Sequence, residues 1–117
     1  MSQLDDHARL CHMLDAARKA VAFLHGRSRS DLVDNEMLAL AIVKCIEIIG
    51  EAATQVEEGT SRLHSHLPWQ EMKGIRNRLV HAYFDVDLNV VWFTVTQNLP
   101  PLIEQLEKIV GVGDQKA

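Results

Sequence analysis

Apolar side chains return every third or fourth position through nearly all of this chain, a period that suits one face of an α-helix and no strand. Leu4, His7, Leu10, Leu14, Ala17, Val21 and Leu24 line one face of a first helix that should end near Gly26. Ser28 to Asp34 reads as a polar turn, with Asp34 or Asn35 placed to cap a second helix. That helix carries Leu38, Ile42, Cys45, Ile49, Ala52 and Val56 and runs toward Gly59. Its stretch LALAIVKCIEII is apolar nearly all round, which places it centrally or between a core and a partner. Beyond the polar Gly59-Thr60-Ser61 segment, Pro68 suits the first turn of a third helix, from Trp69 to about Tyr83, with Met72, Ile75, Leu79 and Val80 inward. Asp85 and Asp87 should break it and cap a fourth helix. Leu88, Val91, Val95, Leu99, Leu102, Leu106 and Ile109 line that helix, and Pro100 and Pro101 should bend it in the middle. The expectation is an all-α protein, an antiparallel four-helix bundle of four to five helices.

At 117 residues the chain has room for one core, so residues 1–117 form a single domain, with its core at about 4–110 and a frayed tail at 111–117. No apolar run approaches the ~18 residues that cross a bilayer, so no membrane partner is expected. The N-terminus lacks a basic-then-apolar leader, and the cytoplasm is the expected location. Cys11 and Cys45 sit among apolar neighbours and read as reduced core residues. A net charge of −4 gives no basic footprint, so any contact with RNA must rest on a local site.

Six histidines raise the question of a metal. His64 and His66 flank one residue and His7 and His12 lie five apart. No two histidines stand at i and i+4 as in H-E-x-x-H, and neither cysteine belongs to a C-x-x-C pair. No metal site is expected. Phosphate-loop, nucleophile-elbow and dinucleotide fingerprints are all lacking, so no cofactor is expected either.

The segment KGIRNRLVHAYFD gathers Lys73, Arg76, Asn77, Arg78, His81 and Tyr83 at the end of the third helix. At about 100° per residue, a helix continuing this far would put Arg76 and Tyr83 on one stripe, and Asn77 and His81 one turn apart on another. Arginine offers a fixed fork to phosphate oxygens, histidine exchanges protons near neutral pH, and asparagine can orient either. Those groups suffice to split a phosphodiester without metal. On spacing alone, a solvated basic helix end with a capping histidine is the better account of them.

The spacing Arg76, four residues, His81, one residue, Tyr83 resembles the Arg-x4-His-x-Tyr motif of HEPN-domain ribonucleases, most broadly the HepT-like branch of HepT–MNT toxin–antitoxin pairs. The blocks IIGEAA (Ile48 to Ala53), PWQEMKGIRNRLVHAYFDVD (Pro68 to Asp87) and VVWFTVTQNLPPLIEQLE (Val90 to Glu107) carry the likeness. The resemblance implies a HEPN-type homodimer whose two motifs face one another across a shared cleft. It further implies a metal-independent endoribonuclease toxin acting on RNA, with Arg76 and His81 as the catalytic pair and Asn77 beside them; Lys73 and Arg78 of the same basic segment are read as supporting RNA binding. It implies that an MNT-type nucleotidyltransferase antitoxin silences the toxin by adding AMP to Tyr83. The alternative is a helical dimer of the same type that binds a nucleotidyltransferase and cleaves nothing.

Glu47 and Glu51 lie one turn apart on the apolar second helix, either solvated or pairing with Arg76 or Arg78 and orienting it. Trp69 and Trp92 read as core or dimer-interface anchors. With aromatics at 5% of the chain, a base-stacking platform is poorly supported.

Overall fold

The computed structural model describes residues 3–81 and 85–111; the expected tail from residue 112 onward lies outside them. Helix α1 (Gln3–Leu24) is followed by the short α2 (Arg29–Asp34) and then by the central α3 (Glu36–Gln55). The segment expected to be a turn is thus helical. Ser28 begins it with a capping box, its backbone amide donating to the Asp31 carboxylate at 2.7 Å. Asn35 then caps α3 by accepting from the Leu38 amide. The polar stretch after α3 also winds into a short helix, α4 (Glu58–Leu63), before α5 (Trp69–Leu79).

The third long helix stops at Leu79, earlier than its apolar spacing suggests. Val80–His81 (β1) pairs antiparallel with Asp85–Val86 (β2), Val80 opposite Val86 and His81 opposite Asp85. The Asp87 amide donates to the Leu79 carbonyl at 2.7 Å, so the end of α5 is closed by the hairpin and not by another helical turn. β-Branched Val80 and Val86 favour that pairing.

The last helical span is α6 (Leu88–Phe93), a π-helical turn at Thr94–Asn98, and α7 (Leu99–Val110). Asp87 caps α6, its side chain accepting from Asn89 and Val90. Pro100 and Pro101 have no amide proton to offer the carbonyls four residues back. The Leu99 amide instead reaches Thr94, five back, and the expected mid-helix bend takes the form of this wider turn.

The core lies where α1, α3 and α7 meet, with Met13, Leu14, Ile42, Ile46 and Leu106 at 0–1% exposure. Each such side chain contributes about 1.5–3 kcal/mol over its exposed state. The first helix holds a surprise. His7, read as inward, is exposed, and Asp6 is the residue buried, at 2%. The Asp6 carboxylate accepts from Thr60 Oγ1 at 2.6 Å, from the Glu57 amide at 3.3 Å and from Arg9 at 3.1 Å. Burial pushes the Asp6 carboxyl up, but these donors outweigh it and hold it below the usual aspartate value. Asp6 therefore ties the start of α1 to the chain just past the end of α3, so those two helices run antiparallel. Both cysteines are free, Cys45 buried and Cys11 half-buried, and burial pushes the Cys45 thiol up. Among the described residues, no helix is long and apolar enough to cross a membrane.

Candidate active site

Two helices position the charged residues, and one glycine sets their separation. Gly50 in α3 faces α5 so closely that a Cβ there would stand 2.8 Å from the Met72 carbonyl oxygen and 3.1 Å from Ile75 Cγ2. A glycine inside so apolar a helix costs about 1 kcal/mol relative to alanine, and this close approach is its physical reason. Glu47, one turn before Gly50, and Arg76, one turn past Met72, come together beside the crossing. Glu47 Oε2 lies 3.7 Å from Arg76 Nε. The glutamate is 30% exposed and the arginine 79%, so the pair sits at the surface with the guanidinium projecting outward.

A groove of about 750 Å³ runs over α3 between α1 and α5, and Glu47, Glu51, Lys73 and Arg76 all line it. Arg78 does not. It lines a separate groove of about 520 Å³ between α5 and the π-turn with α7, floored by Ile46, Ile49, Met72 and Leu102. Asn77 is exposed on α5 between the two arginines. The helix ends before His81, so His81 is not one helical turn beyond Asn77, and the stripe expected from Arg76 reaches a residue outside the described ones. The backbone of His81 lies in β1, with its side chain outside the description; Tyr83 lies outside the described residues altogether.

Trp69 is 8% exposed and its indole donates to the His64 carbonyl at 2.9 Å, which makes it a core anchor. Trp92 is half-buried, and its neighbour Phe93 is 53% exposed. Among the described residues, no three His, Cys, Asp or Glu side chains gather where they could hold a metal ion.

A surface arginine whose Nε faces a carboxylate keeps its terminal nitrogens for another anion, and two parallel bonds to a phosphate are the geometry they suit. The family model for Ribonuclease HepT-like proteins matches residues 13–109. A protein of Thermococcus cleftensis named as a probable ribonuclease HepT is 33% identical over 106 residues, covering 91% of each chain. A provisionally named RNase of Methanocaldococcus jannaschii is 30% identical over 94% of this chain and 91% of its own length. Another from Caldanaerobacter subterraneus is 33% identical over 85% of this chain and 88% of its own. No solved structure matches the chain.

Proposed function

The chain belongs to the HepT-like ribonuclease family, and from that footing we propose that it is a metal-independent endoribonuclease, the toxin of a pair whose antitoxin is a nucleotidyltransferase. The observation that carries this reading is the Glu47–Arg76 pair at the rim of an open groove, with the motif histidine following in the adjoining hairpin.

In this mechanism the ribose 2′-oxygen forms a bond to the neighbouring phosphorus while the bond from phosphorus to the 5′-oxygen breaks. A base removes the 2′-hydroxyl proton and an acid protonates the departing 5′-oxygen. His81 is the proton-transfer candidate, a role worth about 10²–10⁴-fold. Arg76 stabilises charge growing on the phosphoryl oxygens, and Glu47 holds the guanidinium in place for it. Lys73 supports RNA binding from the groove in which Glu51 also stands, with exposed Asn77 and, from the other groove, Arg78 in further support. A homodimer would bring two Arg–His sets to one cleft and raise the local positive charge of a chain whose net charge is −4. The exposed apolar side chains of Met37 (82%), Leu40 (52%) and Phe93 (53%) support such a partner. The toxin would act in the cytoplasm, where its RNA substrate and antitoxin meet.

The purified protein should cleave RNA in the presence of EDTA, and Arg76→Ala and His81→Ala should each abolish cleavage with the helical signal intact. Activity that vanishes with chelator and returns with a divalent ion would remove the metal-independent mechanism. A parent protein inert on RNA would leave the non-catalytic binding module.

A further inference from the structure

The groove over α3 extends well past the Glu47–Arg76 pair. Lys44 lies on its floor, one turn before Glu47, and His12 of α1 lines the wall opposite Lys73 and Arg76. Lys44, Lys73 and His12 are all exposed and, among the described residues, make no ion pair; with Arg76 they spread basic groups over the floor and both walls of the groove. Within the groove four Lys and Arg residues stand against three Asp and Glu, whereas the whole chain carries −4. Of these, Glu47 is turned to Arg76 and Arg9 is held by the buried Asp6, so the groove cations that face a phosphate are Lys44, Lys73 and Arg76.

We infer that this groove is the track of a single RNA strand, with Lys44 and Lys73 holding the phosphates that flank the one at Arg76, and His12 donating from the far wall. The inference rests on the ribonuclease reading and deepens it. Dimensions favour a single strand. Residues 44–55 of α3 line the floor at 1.5 Å per residue, a length of about 16 Å, enough for a few nucleotides. The walls belong to helices packed on either flank of α3. With neighbouring axes about 8–10 Å apart and helices about 10–12 Å across, roughly 6–8 Å is left open between them. A strand with splayed bases enters such a slot. A duplex, which is read by shape across about 16 base pairs, needs a broader surface.

The test is binding of a fluorescein-labelled, fully 2′-O-methylated RNA of about eight nucleotides, which has no free 2′-hydroxyl to attack its own phosphates. Anisotropy titrations would run from roughly 50 to 200 mM salt, the range in which phosphate contacts dominate. Lys44→Gln and Lys73→Gln should each weaken binding about fivefold near 0.1 M and lower the log–log salt slope by about 0.7, one phosphate contact on a single strand. Lys108→Gln, at the far end of α7, should do neither. Equal losses at Lys44 and Lys108, no loss at Lys44, or tighter binding of a duplex of the same sequence would overturn the track. The result stands apart from cleavage. A protein that grips this RNA through Lys44 yet never cuts unmodified RNA loses the ribonuclease reading and keeps the groove. One that cuts unmodified RNA but binds indifferently to Lys44→Gln loses the groove alone.

Discussion

Gly50 and Met72 make the contact on which the site is built. A Cβ at Gly50 would stand 2.8 Å from the Met72 carbonyl oxygen, a backbone atom that cannot swing aside. Moving along α3 and α5 from that point in the same direction, the next turns carry Glu47 and Arg76, whose side chains approach to 3.7 Å. Anything that parts the two helices at Gly50 parts the carboxylate from the guanidinium as well.

Gly50→Ala should therefore lose stability even though alanine is the better helix former by about 1 kcal/mol. Overpacking against backbone costs about 1–3 kcal/mol, which outweighs that gain and leaves a net loss of about 1 kcal/mol. Gly74, on α5, has nothing within 4 Å of its would-be Cβ. Gly74→Ala should instead gain about 0.4–1 kcal/mol through the unfolded chain. Urea midpoints of the two variants decide the matter, and a gain at both would remove the packing argument.

Glu47→Ala should change stability by less than about 0.5 kcal/mol, because a surface pair at this distance holds little. Its effect belongs in turnover: about a tenfold fall in kcat with KM little moved, as an arginine loses its orientation but not its charge. Glu47→Asp should recover part of that fall. If KM carries the whole effect, Glu47 acts on RNA binding and does not position Arg76.

Much of the frame is legible in residue spacing, since most of the stepped apolar residues of the expected second and fourth helices are buried, Ala52, Leu88 and Ile109 only partly. Ile42, Ile49, Val91, Val95 and Leu106 are each 0–2% exposed. What spacing cannot show is competition between equally local outcomes. Val80 to Val86 fits a helix by apolar period and a hairpin by β-branching, and the Asp87 amide bonding to Leu79 decides for the hairpin. Asp6 defeats an apolar-face reading because its burial depends on donors from Glu57 and Thr60, more than fifty positions away in the chain. Gly50 did carry a usable signal, a glycine within a strongly apolar helix. Arg76 and Arg78 look like neighbours in sequence but face different grooves, because two helical steps turn a side chain by about 200°.

Asp6→Asn should cost about 1–3 kcal/mol near neutral pH, since a buried group with three donors is exchanged for one that matches them poorly. The pH dependence follows from the lowered value in the folded state. A carboxyl that holds its proton less tightly when folded adds stability above its unfolded value, ~3.9, and that stability drains away as pH falls through the folded value. Chemical denaturation from pH 7 down to about 3 should show the parent's advantage over Asp6→Asn intact to about pH 4 and shrinking below it. A gap that widens in acid would contradict the network.

The dimer is open to a direct measurement. Met37→Glu combined with Leu40→Glu places charge on two exposed apolar residues of α3 and touches no core residue. Light scattering at micromolar concentration should show the parent at twice the chain mass of 13.2 kDa and the double variant shifted toward monomer. Cleavage should fall with it. A parent that is monomeric under these conditions would remove both the dimer and its composite cleft.

Tyr83 is the proposed point of control. Tyr83 itself lies outside the described residues and follows the motif histidine, His81, by two positions in the sequence. In the proposed modification the tyrosine oxygen forms a bond to the α-phosphorus of ATP, pyrophosphate departs, and the phenolic proton is released. The product carries a phosphodiester charge and a nucleotide close to where RNA phosphate must bind. Like charge opposes the substrate, bulk blocks it, and Arg76 gains a competing phosphate to hold. Tyr83→Phe separates these effects from catalysis, because the hydroxyl has no part in the proton transfers assigned to His81. That variant should cut RNA as the parent does and continue to cut after incubation with the nucleotidyltransferase and ATP, whereas the parent falls silent and gains the mass of one or more AMP groups on Tyr83. Silencing of Tyr83→Phe to the same degree as the parent, or a parent silenced with no adduct on that residue, would show that the antitoxin acts by binding alone.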